Sequence, residues 1–471
     1  MENLEHNIRD LVTQVLKEMN LTQASDPALS QMGVFGNIED AIQAADNAFK
    51  IFIALPLDQR ADIIDNIRRV CIAHNEAIAK MAHEETGLGR YEDKISKNLL
   101  GINKTPGIED VVPQAFTNEH GLTLVERAPY GVIGSITPTT NPTVTIISNA
   151  IGMLAAGNTV VFNPHPGAKK VSAFVITLLN KAIVEKGGPP NVVTCIESPT
   201  IESAKTLMTH PRVALMVVTG GPAVVKAAMN SGKKVIAAGP GNPPVVVDET
   251  ANIAKAAKDI VDGASFDNNI ICICEKEIIV VSSVADRLKE EMKKHGAFEL
   301  NAEQTKHITS LVISDPGYPG HEGAANKKFV GKDAAWIARE AGINVSTATR
   351  LLFCEVEASH PLVWTEQLMP VIPLVRVNDA DTAINLAVAV EHGFRHTAVM
   401  HSMNIENLSK MAKAMNCSLF VKNGPSFAGL GYGGAGFTSF TIASPTGEGI
   451  TKASTFTRER RCTLVDHFRI I

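Results

Sequence analysis

The stretch FDNNIICICEKE, residues 266–277, sets Cys272 and Cys274 two positions apart among carboxylates, amides and one lysine. A zinc site takes about four Cys or His ligands. No second Cys or His pair stands at a usual spacing, so no metal is expected. A disulfide between residues two apart is strained, and nothing else points to a redox pair. What remains is one nucleophile with a bystander, or two inert core cysteines. The polar run Asp267-Asn268-Asn269 favours the nucleophile, because a thiolate needs hydrogen-bond donors and partial exposure. From these residues alone, both uses stay open.

The elements around the loop must position that thiol. A helix is expected over NIAKAAKDIVDGAS before it and a strand over KEIIVVSS after it. Upstream, residues 38–103 read as helices. From 121 onward strands alternate with helices: NTVVFNP, NVVTCIE, VALMVVTGG and KKVIAAG are short apolar runs separated by helical segments. That pattern predicts an α/β fold with a mostly parallel sheet, helices on its faces and ligands at the carboxyl ends of its strands. A second unit is expected to begin near residue 240.

Composition narrows the class. The chain has 471 residues, 45% hydrophobic and 20% charged, with net charge −5. Two or three domains are expected, with no basic block to advertise nucleic-acid binding. Apolar runs are far shorter than the roughly 20 residues of a membrane span, and the acidic N-terminus lacks the order of a secretory signal. Seven scattered cysteines suit a reduced cytoplasmic interior. Residues 1–20 predict an amphipathic helix, with Leu4, Ile8, Leu11, Val15 and Met19 on one stripe. A Pro- and Gly-bearing linker, 21–36, follows it. Such a helix either docks on its own domain or lies in a partner's groove.

Several stretches taken together carry a resemblance: ETGLGRYEDK, TPTTNP, FNPHPGAKK, VVTGG, GPGNPPVVVDETA, GASFDNNIIC, EQLMPVIPLVRV, FVKNGPS and SPTGEGITKASTFTRERRC. The chain resembles the aldehyde dehydrogenase superfamily, and within it the CoA-acylating aldehyde dehydrogenases of bacterial microcompartments, over nearly its whole length. The resemblance implies an aldehyde dehydrogenase fold with NAD and coenzyme A as co-substrates. Residues 37–112 and 131–239 would form the NAD/CoA-binding domain and 240–438 the catalytic domain. Residues 113–130 and 439–471 would form an arm that makes a homodimer or homotetramer. It also implies that the first helix binds a microcompartment shell protein, placing the enzyme in the cytoplasmic microcompartment lumen.

By the same resemblance Cys272 is the nucleophile and Cys274 a packing residue. Asn141 would hold the oxyanion, although its place before PTVTIISNA also suits a simple helix cap. Thr137, Pro138 and Thr139 fall in the cofactor cleft with Thr219, Gly220, Gly221 and Gly239. Asn163, His165 and Pro166 match the adenosine-ribose contacts, and Glu366 the nicotinamide-ribose contact. One departure is informative. Hydrolytic members carry a glutamate that activates water, and here Ala237 stands at its position. A thiol near pKa ~8.5 is already a few per cent thiolate at neutral pH and needs no such base. Thiolysis by CoA is therefore expected over hydrolysis.

The expected substrate is propionaldehyde or acetaldehyde, with propionaldehyde favoured by PHPGAKKVS and GPSFAGLG. Two competitors are a semialdehyde dehydrogenase or phosphate-ester reductase on the same fold, and a silent shell adaptor. The first needs an anion-binding arginine near Cys272, and the stretch holds none. The second has no need of Cys272, Asn141 and Glu366 together.

Overall fold

A computed structural model describes residues 32–471. The helix expected over 1–20, and most of the linker after it, lie outside the described residues. Six strands make the first sheet. In spatial order they are Val34–Phe35, Val193–Ile196, Thr159–Pro164, Val132–Thr137, Val213–Thr219 and Lys234–Ala238, all parallel. Parallel strands are covered on both faces, so both sets of alternating side chains are apolar. Ile133, Phe162 and Val217 face helices Leu57–Ala73, Pro142–Ala155 and Lys169–Glu185. Val132, Val161 and Val218 face helices Ile38–Phe52 and Ile201–Thr209.

A second parallel sheet of seven strands carries the half of the molecule that bears Cys272. Its order is Ala297–Glu299, Leu351–Glu355, Val371–Val377, Glu277–Val281, Pro244–Val247, Thr397–His401 and Leu419–Lys422. Helices Ile253–Ser265 and Ser282–Lys294 pack on one face, Ala380–Val390 and Ile405–Met415 on the other. The third unit is an antiparallel ribbon of Gln114–Asn118, Gly121–Pro129 and Thr457–Val465.

Two boundaries differ from the sequence reading. Val34–Phe35, at the end of the expected linker, pairs with Val193–Ile196 and closes the edge of the first sheet. Residues 439–456, expected in the arm, fold back on the body instead. Ala443, Ala453 and Phe456 are buried in the first core, Phe456 against Gly152. The reason is apolar burial: a buried Phe contributes roughly 1.5–3 kcal/mol. The C-terminal arm strand therefore begins at Thr457.

Candidate active site

The loop that carries Cys272 leaves helix Ile253–Ser265 through three consecutive residues of positive φ, Asp267 (46°), Asn268 (53°) and Asn269 (63°). Asp and Asn enter this left-handed region more readily than other non-glycine residues, because a short polar side chain bonds locally. Each of the three side chains is spent inward. Asn268 Nδ2 donates to Gly331 O at 3.0 Å and Asp333 Oδ1 at 2.9 Å. Asn269 Nδ2 donates to Ala264 O at 2.8 Å and Glu275 O at 2.9 Å. Asp267 Oδ1 accepts from the Arg90 amide at 2.7 Å. The expectation that this polar run offers donors to the thiol is thus corrected. Asp267, Asn268 and Asn269 are all buried and hold the loop's shape.

Beneath the loop lies a buried charge cluster. Lys94 and Lys97, one turn apart on helix Tyr91–Lys104, both donate to Asp267 Oδ2. Lys97 Nζ also donates to Asn141 Oδ1 at 2.7 Å. Burial alone would raise the Asp267 carboxyl, but Lys97, Lys94 and the Arg90 amide outweigh it and hold it below the usual carboxylate range. Burial and Lys97 push Lys94 down to about 8. Asn141 occupies the cap position of helix Pro142–Ala155, yet its side chain makes no capping bond. The simple-cap alternative fails, and the amide faces Lys97 instead.

Cys272 is partly buried, whereas Cys274 is fully buried within the apolar cluster beside it. Burial pushes the Cys272 thiol up to about 12, with Glu366 adding to the rise and Lys276 opposing it. Lys276, itself fully buried, donates to Asn269 O at 3.1 Å and Ile271 O at 3.4 Å. Gly241 lies where Glu366, His396 and the Cys272 backbone converge. Its N–H donates to Glu366 Oε1 at 3.4 Å. A Cβ placed there would stand 2.9 Å from His396 Cγ and 3.0 Å from the Cys272 carbonyl oxygen. Burial raises the Glu366 carboxyl to about 7 and lowers His396 to about 4. His396 Nδ1 contacts Thr397 Oγ1 at 2.8 Å, and its Nε2 has no partner. The sequence reading missed Lys97, Lys276 and His396. Only the fold brings His396 to Gly241.

The expected cofactor residues line the carboxyl edge of the first sheet. Thr137, Asn163 and Thr219 stand in the last turns of their strands, and Gly239 follows Lys234–Ala238. Thr137 Oγ1 is buried without a partner. Asn163 accepts from Ser203 Oγ at 2.6 Å, and Thr219 pairs with Thr441 at 3.0 Å. Gly220 N donates to Ala238 O, leaving Gly221 to open helix Pro222–Met229 with free space above its Cα. Pro138 and Thr139 are half-buried, while His165 and Pro166 are exposed. A cavity of about 460 Å³ lies between helix Pro222–Met229 and the chain after Lys234–Ala238, walled by Pro222, Val225, Met229, Gly239, Pro240 and Phe394; of the expected cofactor residues, Gly239 lines it. Mostly apolar walls beside the start of helix Pro222–Met229 suit the flat ring and phosphates of a dinucleotide. Among the described residues, no group of three or more His, Cys, Asp or Glu is arranged to hold a metal ion. No described helix is long and apolar enough to cross a membrane.

Comparison with known proteins places this geometry. The model of the aldehyde dehydrogenase family matches residues 31–444. An acetylating acetaldehyde dehydrogenase of Escherichia coli is 50% identical over 468 residues, covering 99% of this chain and 100% of that protein. The crystal structure of Rhodopseudomonas palustris propionaldehyde dehydrogenase, with bound CoA and an acylated cysteine, superposes with a TM-score of 0.89. It is 50% identical and covers 92% of this chain and 98% of that one. A propionaldehyde dehydrogenase from the fucose-utilisation microcompartment of Clostridium phytofermentans has a TM-score of 0.90 at 47% identity. It covers 93% of this chain and 100% of that one.

Proposed function

The chain belongs to the aldehyde dehydrogenase family, and from that premise we propose that it is a CoA-acylating dehydrogenase of short-chain aldehydes. The observation that carries the acylating chemistry is Ala237. Ala237 is fully buried in the apolar cluster on one face of the first sheet, and its methyl leaves no carboxylate at that position to activate water. A thiol co-substrate needs no such base.

Each residue then has a task. Cys272 gives up its proton and its sulfur attacks the aldehyde carbon. His396, whose buried Nε2 has no partner, is assigned as the acceptor of that proton. Asn141 Nδ2 and the Cys272 amide hold the oxygen that becomes negative. NAD+, when bound, supplies the hydride acceptor. Thr137, Pro138, Thr139, Asn163, His165 and Pro166 would hold it together with Thr219, Gly220, Gly221, Gly239 and Glu366. Cys272 keeps the acyl group as a thioester until the CoA thiol takes it.

The relatives named for acetaldehyde and for propionaldehyde are similar to nearly the same degree, at 50% and at 47–50% identity. One methylene is worth only about 1–3 kcal/mol of discrimination, so the enzyme uses both aldehydes, with propionaldehyde favoured. The similarity to a microcompartment enzyme supports a place in a microcompartment lumen, reached through residues 1–20 and a shell protein. The exposed ribbon supports self-association as a homodimer or homotetramer. A semialdehyde substrate lacks support at Arg350, whose guanidinium is held by Asp93 and Ser265.

The test is trapping. Protein given NAD+ and propionaldehyde without CoA should gain one propionyl mass on the peptide containing Cys272. No adduct, or one on another residue, contradicts the scheme.

A further inference from the structure

We propose that Lys97 is a positioning residue for the oxyanion: it fixes which edge of the Asn141 amide faces the substrate, and ties that amide to the loop of Cys272. This deepens the assignment of Asn141 above and rests on it. The argument begins with the donor inventory. An ammonium has three N–H donors and no acceptor, so only the carbonyl edge of an amide can meet it. Lys97 Nζ stands 2.7 Å from Asn141 Oδ1. The Nδ2 edge is thereby turned the other way, with Thr140 Oγ1 at 3.2 Å taking one of its two hydrogens. The second hydrogen is left for a ligand. A flipped amide would instead present its carbonyl oxygen to the oxyanion and repel it.

The same ammonium donates to Asp267 Oδ2, five residues before the nucleophile. One lysine therefore spans the side-chain half of the oxyanion hole and the loop that bears its backbone half. Burial makes the arrangement specific: Asn141 is 8% exposed, Lys97 2% and Asp267 0%. In such a site water cannot replace a lost donor, and charge acts more strongly than at a surface. Lys94 and Lys97 face one Asp267 carboxylate.

The test is a double-mutant cycle on the full chain, read as the NADH burst with aldehyde and NAD+ but no CoA. Asn141→Ala should slow the burst about 10²–10³-fold, the usual cost of an oxyanion donor. Lys97→Met should slow it about 10–100-fold with little change in aldehyde KM, and Lys97→Arg should restore much of that rate. The double variant should be no slower than Asn141→Ala, because Lys97 acts through that amide. Losses that multiply, with Lys97→Met still slowing the Asn141→Ala protein in full, would reduce Lys97 to a structural support and overturn the proposal. A full burst rate in Asn141→Ala would instead overturn the assignment of Asn141 itself. If Lys97→Met does not fold, Lys97→Gln takes its place in the cycle, with a smaller loss that must again vanish in the Asn141→Ala background.

Discussion

The Asp267 carboxylate fills the space that a Cβ on Gly89 would need. Its Oδ1 lies closer to that point than real Cβ contacts come, and Gly89 itself sits at φ +71°. Two glycine requirements therefore coincide at one residue of GLGRYEDK: a left-handed backbone and room for a buried anion. Gly89→Ala should destabilise the protein by at least about 1–3 kcal/mol through backbone strain alone. It should also slow the NADH burst, because displaced Asp267 drags the loop of Cys272. Urea unfolding and burst kinetics check both. An unchanged burst rate would show that the two are uncoupled.

Asp267 itself gives a stability prediction with a definite sign in pH. Its carboxyl is held below the usual range in the fold, against the pull of burial, by Lys97, Lys94 and the Arg90 amide. Its contribution is therefore present above the unfolded value of about 3.9, and is lost as pH falls through the lower folded value. Asp267→Asn leaves two buried ammonium groups without their anion and should cost about 3–5 kcal/mol at pH 7. The gap between variant and parent should narrow below pH 4. A cost under about 1 kcal/mol at pH 7 would contradict the cluster's role.

The thiol predicts a pH profile. With its pKa pushed up to about 12 by burial, Cys272 in the resting enzyme is a thiol, with about one molecule in ten thousand ionised at pH 8. Alkylation of Cys272 by iodoacetamide should rise about tenfold per pH unit from 7 to 10 without a plateau. The reaction must be followed by peptide mass, because Cys462 on the arm is exposed and reacts on its own account. A plateau below pH 8 would reveal a thiolate already formed.

The arm predicts assembly. Phe116 is 56% exposed and Leu464 44%, both on the antiparallel ribbon. Exposed apolar side chains along a ribbon suit a second copy of the chain. Phe116→Asp with Leu464→Asp should shift light scattering towards a monomer while leaving the unfolding temperature nearly unchanged. An oligomer of unaltered size would remove the arm from the interface.

Much of this fold is legible in the sequence. The strands of residues 131–238 are short apolar runs closed by Gly, Pro or Thr, because a parallel strand buried on both faces must be apolar throughout. The stretch around Cys272 leaves nucleophile and inert core cysteine both open, and only the resemblance singles Cys272 out. The charge cluster is not legible. Lys97 reaches Asn141 across 44 residues and Asp267 across 170, and no local pattern encodes either pairing. The run Asp267-Asn268-Asn269 misleads for a related reason. Composition shows that it is polar and tolerant of positive φ, but only the packed loop shows that its side chains point inward. Residues 439–456 look extended and belong to the body, because Phe456 finds its pocket at Gly152, about 300 residues away.

The central claim is thiolysis of a Cys272 thioester with no carboxylate at position 237 to activate water, and NADH formation from propionaldehyde with and without CoA tests it most directly. The account predicts one burst per active site without CoA and steady turnover only when CoA is present. Equal turnover in both would mean that water is activated by a group other than the one missing at Ala237, and would contradict the account.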